Sequence, residues 1–269
     1  MKKTPSWLLW IVAFVVTSGS AVYQRMTGPT YAVRGNATVG GHDVRFKLPR
    51  SYRSEGDARL ALTAPERGVS GVLEVRRYRS EDSWTATPLE REGDALVGWI
   101  PHQPPAGKVM YRVVLRHDGG HPVSLTAEPV IIRFRASVPA AVLIAHIVII
   151  FAGMLLSTRT GLEACARGRG VRVLTYWTVP MLFVGGLVLG PVVQKYAFDA
   201  FWTGWPLGRD LTDNKMAVVL LFWLGALWRG RHPQSRRGWA IVAGLVTLAV
   251  WLIPHSLLGS ELNHLPGAP

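Results

Sequence analysis

The sequence predicts an α+β membrane protein: an extracytoplasmic antiparallel β-sandwich joined to about five transmembrane helices. Three observations predict it. Long apolar runs occupy residues 7–23 and much of the chain beyond 138, whereas residues 24–136 have ordinary polar composition. Short alternating segments recur through 30–136. Arginines gather in short segments beside the apolar runs. A mean hydropathy of +0.20 averages over this segregation, which is that of a membrane protein carrying one water-facing domain.

A spanning helix needs about 20 mostly apolar residues. Five runs are candidates: Trp7–Tyr23, Val138–Ser157, Val173–Val193 with Pro180 inside it, Thr212–Trp228 and Trp239–Leu258. The fourth reaches membrane length only if its helix begins near Thr212. Charge then sets orientation. Lys2 and Lys3 precede the first run, residues 158–172 carry four Arg and one Glu, and residues 229–238 carry four Arg. The segment 194–215 carries three charges of each sign. Basic loops stay in the cytoplasm. The N-terminus, 158–172 and 229–238 are therefore expected inside; 24–136, the outer polar loop 194–215 and the C-terminal tail are expected outside. The expected location is a bacterial inner membrane, with the lipid bilayer as the first partner. Much of the formal charge of +13 thus orients helices. No basic patch interleaved with exposed aromatics occurs, and nucleic-acid binding is not expected. The first run is read as an uncleaved anchor, domain 1–23. With Gly19, Ser20 and Ala21 as small residues after WLLWIVAFVV, it also fits a signal peptide. Cys165 is the one cysteine, so no intramolecular disulfide forms; it falls in a basic loop expected inside, where thiols stay reduced.

Within the 24–136 domain, GHDVRFKLP, ARLALTA, GVLEVRRYR, ALVGWIP, KVMYRVVLRHDG and EPVIIRFRA alternate or nearly so. Turn signals separate them at Gly40-Gly41, Glu66-Arg67-Gly68, Glu92-Gly93-Asp94 and Asp118-Gly119-Gly120. Seven or so strands in this length suit a sandwich. WIPHQPPAGKVMYRVVL, residues 99–115, resembles immunoglobulin-like and fibronectin-type-III-like modules, in which a proline-containing loop precedes a Y-x-V-x-L strand. That resemblance implies a domain that binds or spaces and brings no catalytic residue with it. The phrases WTGWPLGRDLTDNK and IPHSLLGSEL resemble stretches of uncharacterised bacterial inner-membrane proteins of the same layout, over the C-terminal half. This resemblance implies no activity.

Catalytic signatures are missing: there is no G-x-S-x-G, C-x-x-C, H-E-x-x-H or P-loop. HDGGH, residues 117–121, reads as a hairpin turn on Asp118-Gly119 rather than a metal site. His146 lies about 12 Å along the second run from Val138. At that depth an ionisable group is a functional candidate, and three readings compete: a neutral ring bonded to a neighbouring helix, a haem or metal ligand, or a proton or substrate contact. Haem b would need a second ligand at matching depth. His255, at the outer end of the fifth run, is a poor match, and no cofactor is expected. Gly186-x-x-x-Gly190, Ala240-x-x-x-Gly244 and Ala141, Ala145 and Ala152 are small-residue faces for helix association.

FWTGWPLGRDLTDNK, residues 201–215, is the densest polar candidate. Trp202 and Trp205, with Tyr196 and Phe201, fit an interfacial aromatic belt. Thr212 is expected to cap the fourth helix, with Asp213 in its first turn. Gln194, Lys195, His255, Ser256, Glu261 and Asn263 converge on the same level. Asp210 or Asp213 is expected to pair with Lys215, Arg209 or Lys195, because charges near hydrocarbon tend to be paired. The cluster reads either as a polar lock across the outer helix ends or as a small-ligand, ion or partner site. The function expected is that of a non-enzymatic accessory subunit that contacts other membrane or periplasmic proteins. A small-solute or ion transporter using His146 and the outer cluster is the alternative, and a haem- or quinone-linked redox protein the second.

Overall fold

The computed structural model describes residues 4–208, 210–254 and 262. The chain divides into two compact units: the described residues of 1–29 and 138–260 form one, and 30–137 the other.

Residues 30–137 build two sheets. One runs β1 (Val33–Val39), β2 (His42–Leu48), β4 (Ala58–Thr63), β8 (Ala95–Ile100), β7 (Glu90–Glu92). The other runs β3 (Ser51–Arg53), β11 (Val130–Arg135), β9 (Lys108–His117), β5 (Val69–Arg77), β6 (Thr85–Pro88), with the short β10 (Val123–Ser124) also on β9. Alternation decides which side chains go inward. In β4, Ala58, Leu60 and Leu62 are buried while Arg59, Ala61 and Thr63 are exposed; in β9, Val109, Tyr111, Val113 and Leu115 face the core. Both sheets feed one cluster, in which Leu48, Leu60 and Ile100 of the first meet Leu73, Leu115, Ile132 and Phe134 of the second. Each such side chain, fully buried, contributes about 1.5–3 kcal/mol. Tyr111 is the polar exception. Its hydroxyl donates to the Pro49 carbonyl at 2.8 Å, and burial pushes its pKa up.

The expected turns are present. Gly40 and Gly41, both at positive φ, connect β1 to β2, and Asp118 and Gly119 turn the chain after β9 at φ 38 and 77. Two features differ from expectation. The sheets contain eleven strands rather than seven or so, the extra ones being mostly short edges. And β3 pairs with β11 in parallel, so the second sheet is mixed. β1 was hidden in the sequence because VRGNATV carries Gly35 and Asn36, poor strand formers. Gly35 is needed there: a Cβ would come within 2.6 Å of the Phe46 ring from β2.

The other unit is helical: α1 (Ser6–Thr27), α2 (Ala140–Cys165), α3 (Val171–Leu182) continuing through a π segment (Phe183–Leu189) into α4 (Gly190–Phe198), α5 (Leu211–Arg229) and α6 (Pro233–Leu252). Among the described residues, four helices are long and apolar enough to cross a membrane: Ser6–Thr27, Ala140–Cys165, Val171–Phe198 and Leu211–Arg229. The fifth expected span does not join them. α6 starts with the polar turn PQSRR and stops at Leu252, where Ile253 turns extended before Pro254. The apolar run therefore shares its helix with Arg236 and Arg237.

Small residues bring the helices together, and within the chain. A Cβ on Gly185 would sit 2.9 Å from the Ile150 backbone of α2, and one on Gly244 of α6 would sit 3.4 Å from Gly161. Gly186 is overlaid by Met216 of α5. Pro180, where a kink is expected, lies inside α3, and a π segment begins three residues later at Phe183. Polar pairs fix the helix order. Gln24 Nε2 donates to the carbonyls of Trp251 and Ile253 at 2.7 and 3.2 Å. Thr17 reaches Thr158. Arg159 reaches Ser6 at 3.0 Å. The start of α1 thus meets the end of α2, while the ends of α1 and α6 lie together.

Candidate functional site

The candidate site lies between α4 and α5. α4 ends at Asp199, whose left-handed φ of 61 stops the helix. Lys195 Nζ reaches forward one turn to Asp199 Oδ1 at 2.7 Å, and this bond holds the Asp199 carboxyl below its ordinary pKa. The chain then folds on itself before α5. Asp210 N donates to the Thr203 carbonyl at 2.9 Å and Gly208 N to the Gly204 carbonyl at 2.8 Å. Trp202 Nε1 donates to the Trp205 carbonyl at 3.1 Å. Trp205–Pro206 is a cis peptide.

Asp213 organises this loop. Its Oδ2 accepts from Thr203 N at 2.7 Å, Gly204 N at 3.0 Å and Gln194 Nε2 at 3.3 Å. Its neighbour Asn214 accepts from Trp205 N at 2.8 Å, and Gln194 also donates to the Thr203 hydroxyl at 2.7 Å. Residues of the first turn of α5 thereby hold the loop, and Gln194 ties both to α4. Gly204 must lack a side chain, since a Cβ would meet Asn214 Oδ1 at 2.6 Å.

The expected geometry is corrected in three respects. The N-cap of α5 is Asp210, not Thr212: Asp210 is extended and its Oδ1 accepts from Thr212 N at 2.8 Å. Among the described residues Asp213 makes no ion pair and accepts from loop amides instead, because the loop passes close enough to offer two N–H groups. And the lysines hydrogen-bond to other groups, although Lys215 is also attracted to the Asp210 carboxylate. Lys195 binds Asp199, while Lys215, buried, donates to the carbonyls of Ile253 and Pro254 at 2.8 and 2.9 Å. Those carbonyls stand at the end of α6, where backbone acceptors have no helical partner. The site thus gathers Gln194, Trp202, Trp205, Asp210, Asp213 and Asn214, with Lys215 linking α5 to α6. Trp205 is 77% exposed, as an interfacial anchor would be. Arg209, His255, Ser256, Glu261 and Asn263 lie outside the described residues.

His146 is separate from this loop. Its Nδ1 is 2.9 Å from the Gly185 carbonyl in the π segment. A carbonyl only accepts, so Nδ1 carries the hydrogen. The bond joins α2 to the π segment of its neighbour.

A second polar knot lies in residues 158–172, where the sequence predicts a loop. α2 runs on through them to Cys165. Arg159 and Glu163 are consequently helical, one turn apart and buried, and they pair at 2.7 Å. Glu163 Oε1 also accepts from Gly170 N at 3.0 Å, which fixes the turn into α3. Trp10 of α1 lies under the Arg159 guanidinium at 5.3 Å. The i,i+4 spacing of Arg159 and Glu163 was the available signal.

Chemically, the described polar groups hold the backbone. Among the described residues, no group of three or more His, Cys, Asp or Glu side chains is placed to hold a metal ion. Comparison of the chain with protein-family models, curated proteins and solved structures gives no match.

Proposed function

We propose that this protein is a non-enzymatic integral membrane protein, a structural or accessory subunit whose β-sandwich and helices contact partners in a larger membrane assembly. In this reading the arginine-rich helix ends are cytoplasmic, by the positive-inside rule. The immunoglobulin-like sandwich is extracytoplasmic, because it follows a single helix with a basic N-terminus. One observation carries the proposal. The polar side chains most suited to chemistry bind structural groups: His146 a carbonyl, Asp213 two loop amides, Lys215 two carbonyls and Glu163 both Arg159 and a turn amide. Groups so engaged stabilise a scaffold. A scaffold with a recognition-type sandwich acts through what it contacts.

The test is native purification of the full chain in mild detergent, with identification of what accompanies it. A membrane or periplasmic protein in fixed stoichiometry is the expected result. A monodisperse chain without partners contradicts the proposal.

One observation favours a second reading, transport of a small solute or ion. His146 bonds to a π segment, and such segments are frequent at functional sites. Under that reading His146→Ala abolishes flux in reconstituted vesicles while the protein still folds. Under the first it alters stability alone.

A further inference from the structure

The arginine-rich end of the bundle contains a cleft that the preceding reading does not use. It opens between the first turns of α3 and the turn joining α5 to α6 as a shallow groove with a cavity volume of about 10 Å³, so that a ligand's headgroup seats at its mouth. Arg172, Tyr176, Leu227, Gly230, Arg231 and Arg236 line it. Three guanidinium groups meet here from three places in the chain. Arg172 donates to the Tyr176 hydroxyl from two nitrogens, at 3.4 and 3.3 Å. Arg236 Nε donates to the Gly230 carbonyl at 2.7 Å. Arg231 stands in the turn itself. None of the three has a carboxylate partner among the described residues. Arg159, on the neighbouring helix, has Glu163.

Like charges held together repel, and an anion placed among them relieves the repulsion. A planar guanidinium presents forked N–H donors that match a phosphate. The residues next to the cleft in sequence are apolar and open: Val173 and Trp177 on α3, and Leu224 and Trp228 on α5, each expose more than half their surface. A ligand that fits both features carries an anionic head and apolar tails. Basic pockets between transmembrane helices recognise lipid headgroups on these terms.

We propose that the cleft formed by Arg172, Tyr176, Arg231 and Arg236 binds the phosphate of an anionic phospholipid, whose acyl chains lie along the exposed faces of α3 and α5. The tyrosine hydroxyl and the three guanidinium groups are the headgroup donors. A zwitterionic lipid offers the same phosphate with a choline cation attached, which the arginines repel, so the site selects net negative charge. The same chemistry would accept free phosphate; the open apolar flanks favour the lipid.

The test uses the full chain, delipidated in mild detergent and offered phosphatidylglycerol, phosphatidylcholine or inorganic phosphate at matched concentrations. Native mass spectrometry counts retained lipid, and thermal melting reads stabilisation. Phosphatidylglycerol is expected to stay bound and to raise the melting temperature above that in phosphatidylcholine. Arg231→Gln with Arg236→Gln is expected to weaken retention by about tenfold or more, the loss fitting two headgroup-facing charges. Arg231→Gln alone gives a smaller loss, and it disturbs no side-chain hydrogen bond among the described residues. Arg59→Gln, in the sandwich, leaves retention unchanged. Equal retention of the two lipids, or full retention by the double variant, would overturn the proposal. So would equal stabilisation by inorganic phosphate, which would make the site one for a free anion.

Discussion

Two carboxylates solve the same problem by different means. Glu163 closes the α2–α3 turn and Asp213 closes the α4–α5 loop, and each joins a helix to the chain that leads into or out of it. Glu163 does so with a guanidinium beside it; Asp213 does so on amides and an amide side chain, with no ion pair among the described residues. The difference follows from the connecting chain. The α2–α3 turn is short and offers Gly170 N alone, so the remaining charge needs Arg159, which α2 supplies one turn away. The α4–α5 loop is longer and bends back far enough to present Thr203 and Gly204 together. A carboxylate near a bilayer thus requires donors rather than a cation as such.

This contrast can be broken in order of expected effect. Arg159→Ala leaves Glu163 charged and buried without its partner, and destabilisation of about 3–5 kcal/mol is expected. Replacing both, Arg159→Met with Glu163→Gln, is expected to recover most of that loss, and the double-mutant cycle in thermal or denaturant unfolding measures it. Asp213→Ala orphans two loop amides, for a loss of about 2–3 kcal/mol. Asp213→Asn keeps one carbonyl oxygen in place and is expected to retain more than half of that stability. The corresponding isostere Glu163→Gln loses its charge beside Arg159 and fares worse than Asp213→Asn. Reversal of that order would show that Asp213 depends on a cation after all.

Gln24→Ala removes two bonds from α1 to the end of α6, at about 1–2 kcal/mol in total. Its readout is accessibility of α1 to protease in detergent, which is expected to rise. The smallest effect belongs to the sandwich. The backbone N–H and side chain of His102 hold the exposed Asp57 carboxyl below its ordinary 3.8. Its stabilising contribution is therefore complete above that value and disappears as pH falls through the lower folded one. Asp57→Asn is expected to leave the neutral-pH melting temperature unchanged and to flatten the acid limb slightly.

The sequence made the layout legible where one physical rule dominated. Apolar length located α1 to α5, and alternation located β2, β4, β5, β8, β9 and β11. It was less legible where several weak rules met. β1 contains Gly35 for the sake of Phe46, which no local pattern records. α6 begins six residues before the apolar run, at Pro233, and ends at Leu252, so it takes in Arg236 and Arg237 and only the first part of that run. At the candidate site, the described hydrogen bonds of Asp213 and Lys215 go to partners that the sequence does not name. Charge pairing is the natural guess for Asp213 and Lys215, yet both meet backbone groups, whose positions depend on how 199–210 folds. Arg159 and Glu163 were hidden for a different reason. Counted as loop charges, they marked orientation, and only the continuation of α2 to Cys165 makes them a buried pair.

The central claim is that the bundle's polar groups hold a scaffold that works through its contacts. Its most direct test is Asp213→Ala, made in the full chain and purified gently beside the wild type, with melting temperature and partner retention measured on the same sample. The account predicts a lower melting temperature with the accompanying protein still bound below the melt. An unchanged melting temperature with the partner lost would contradict it, and would make Asp213 part of a recognition site instead of a structural one.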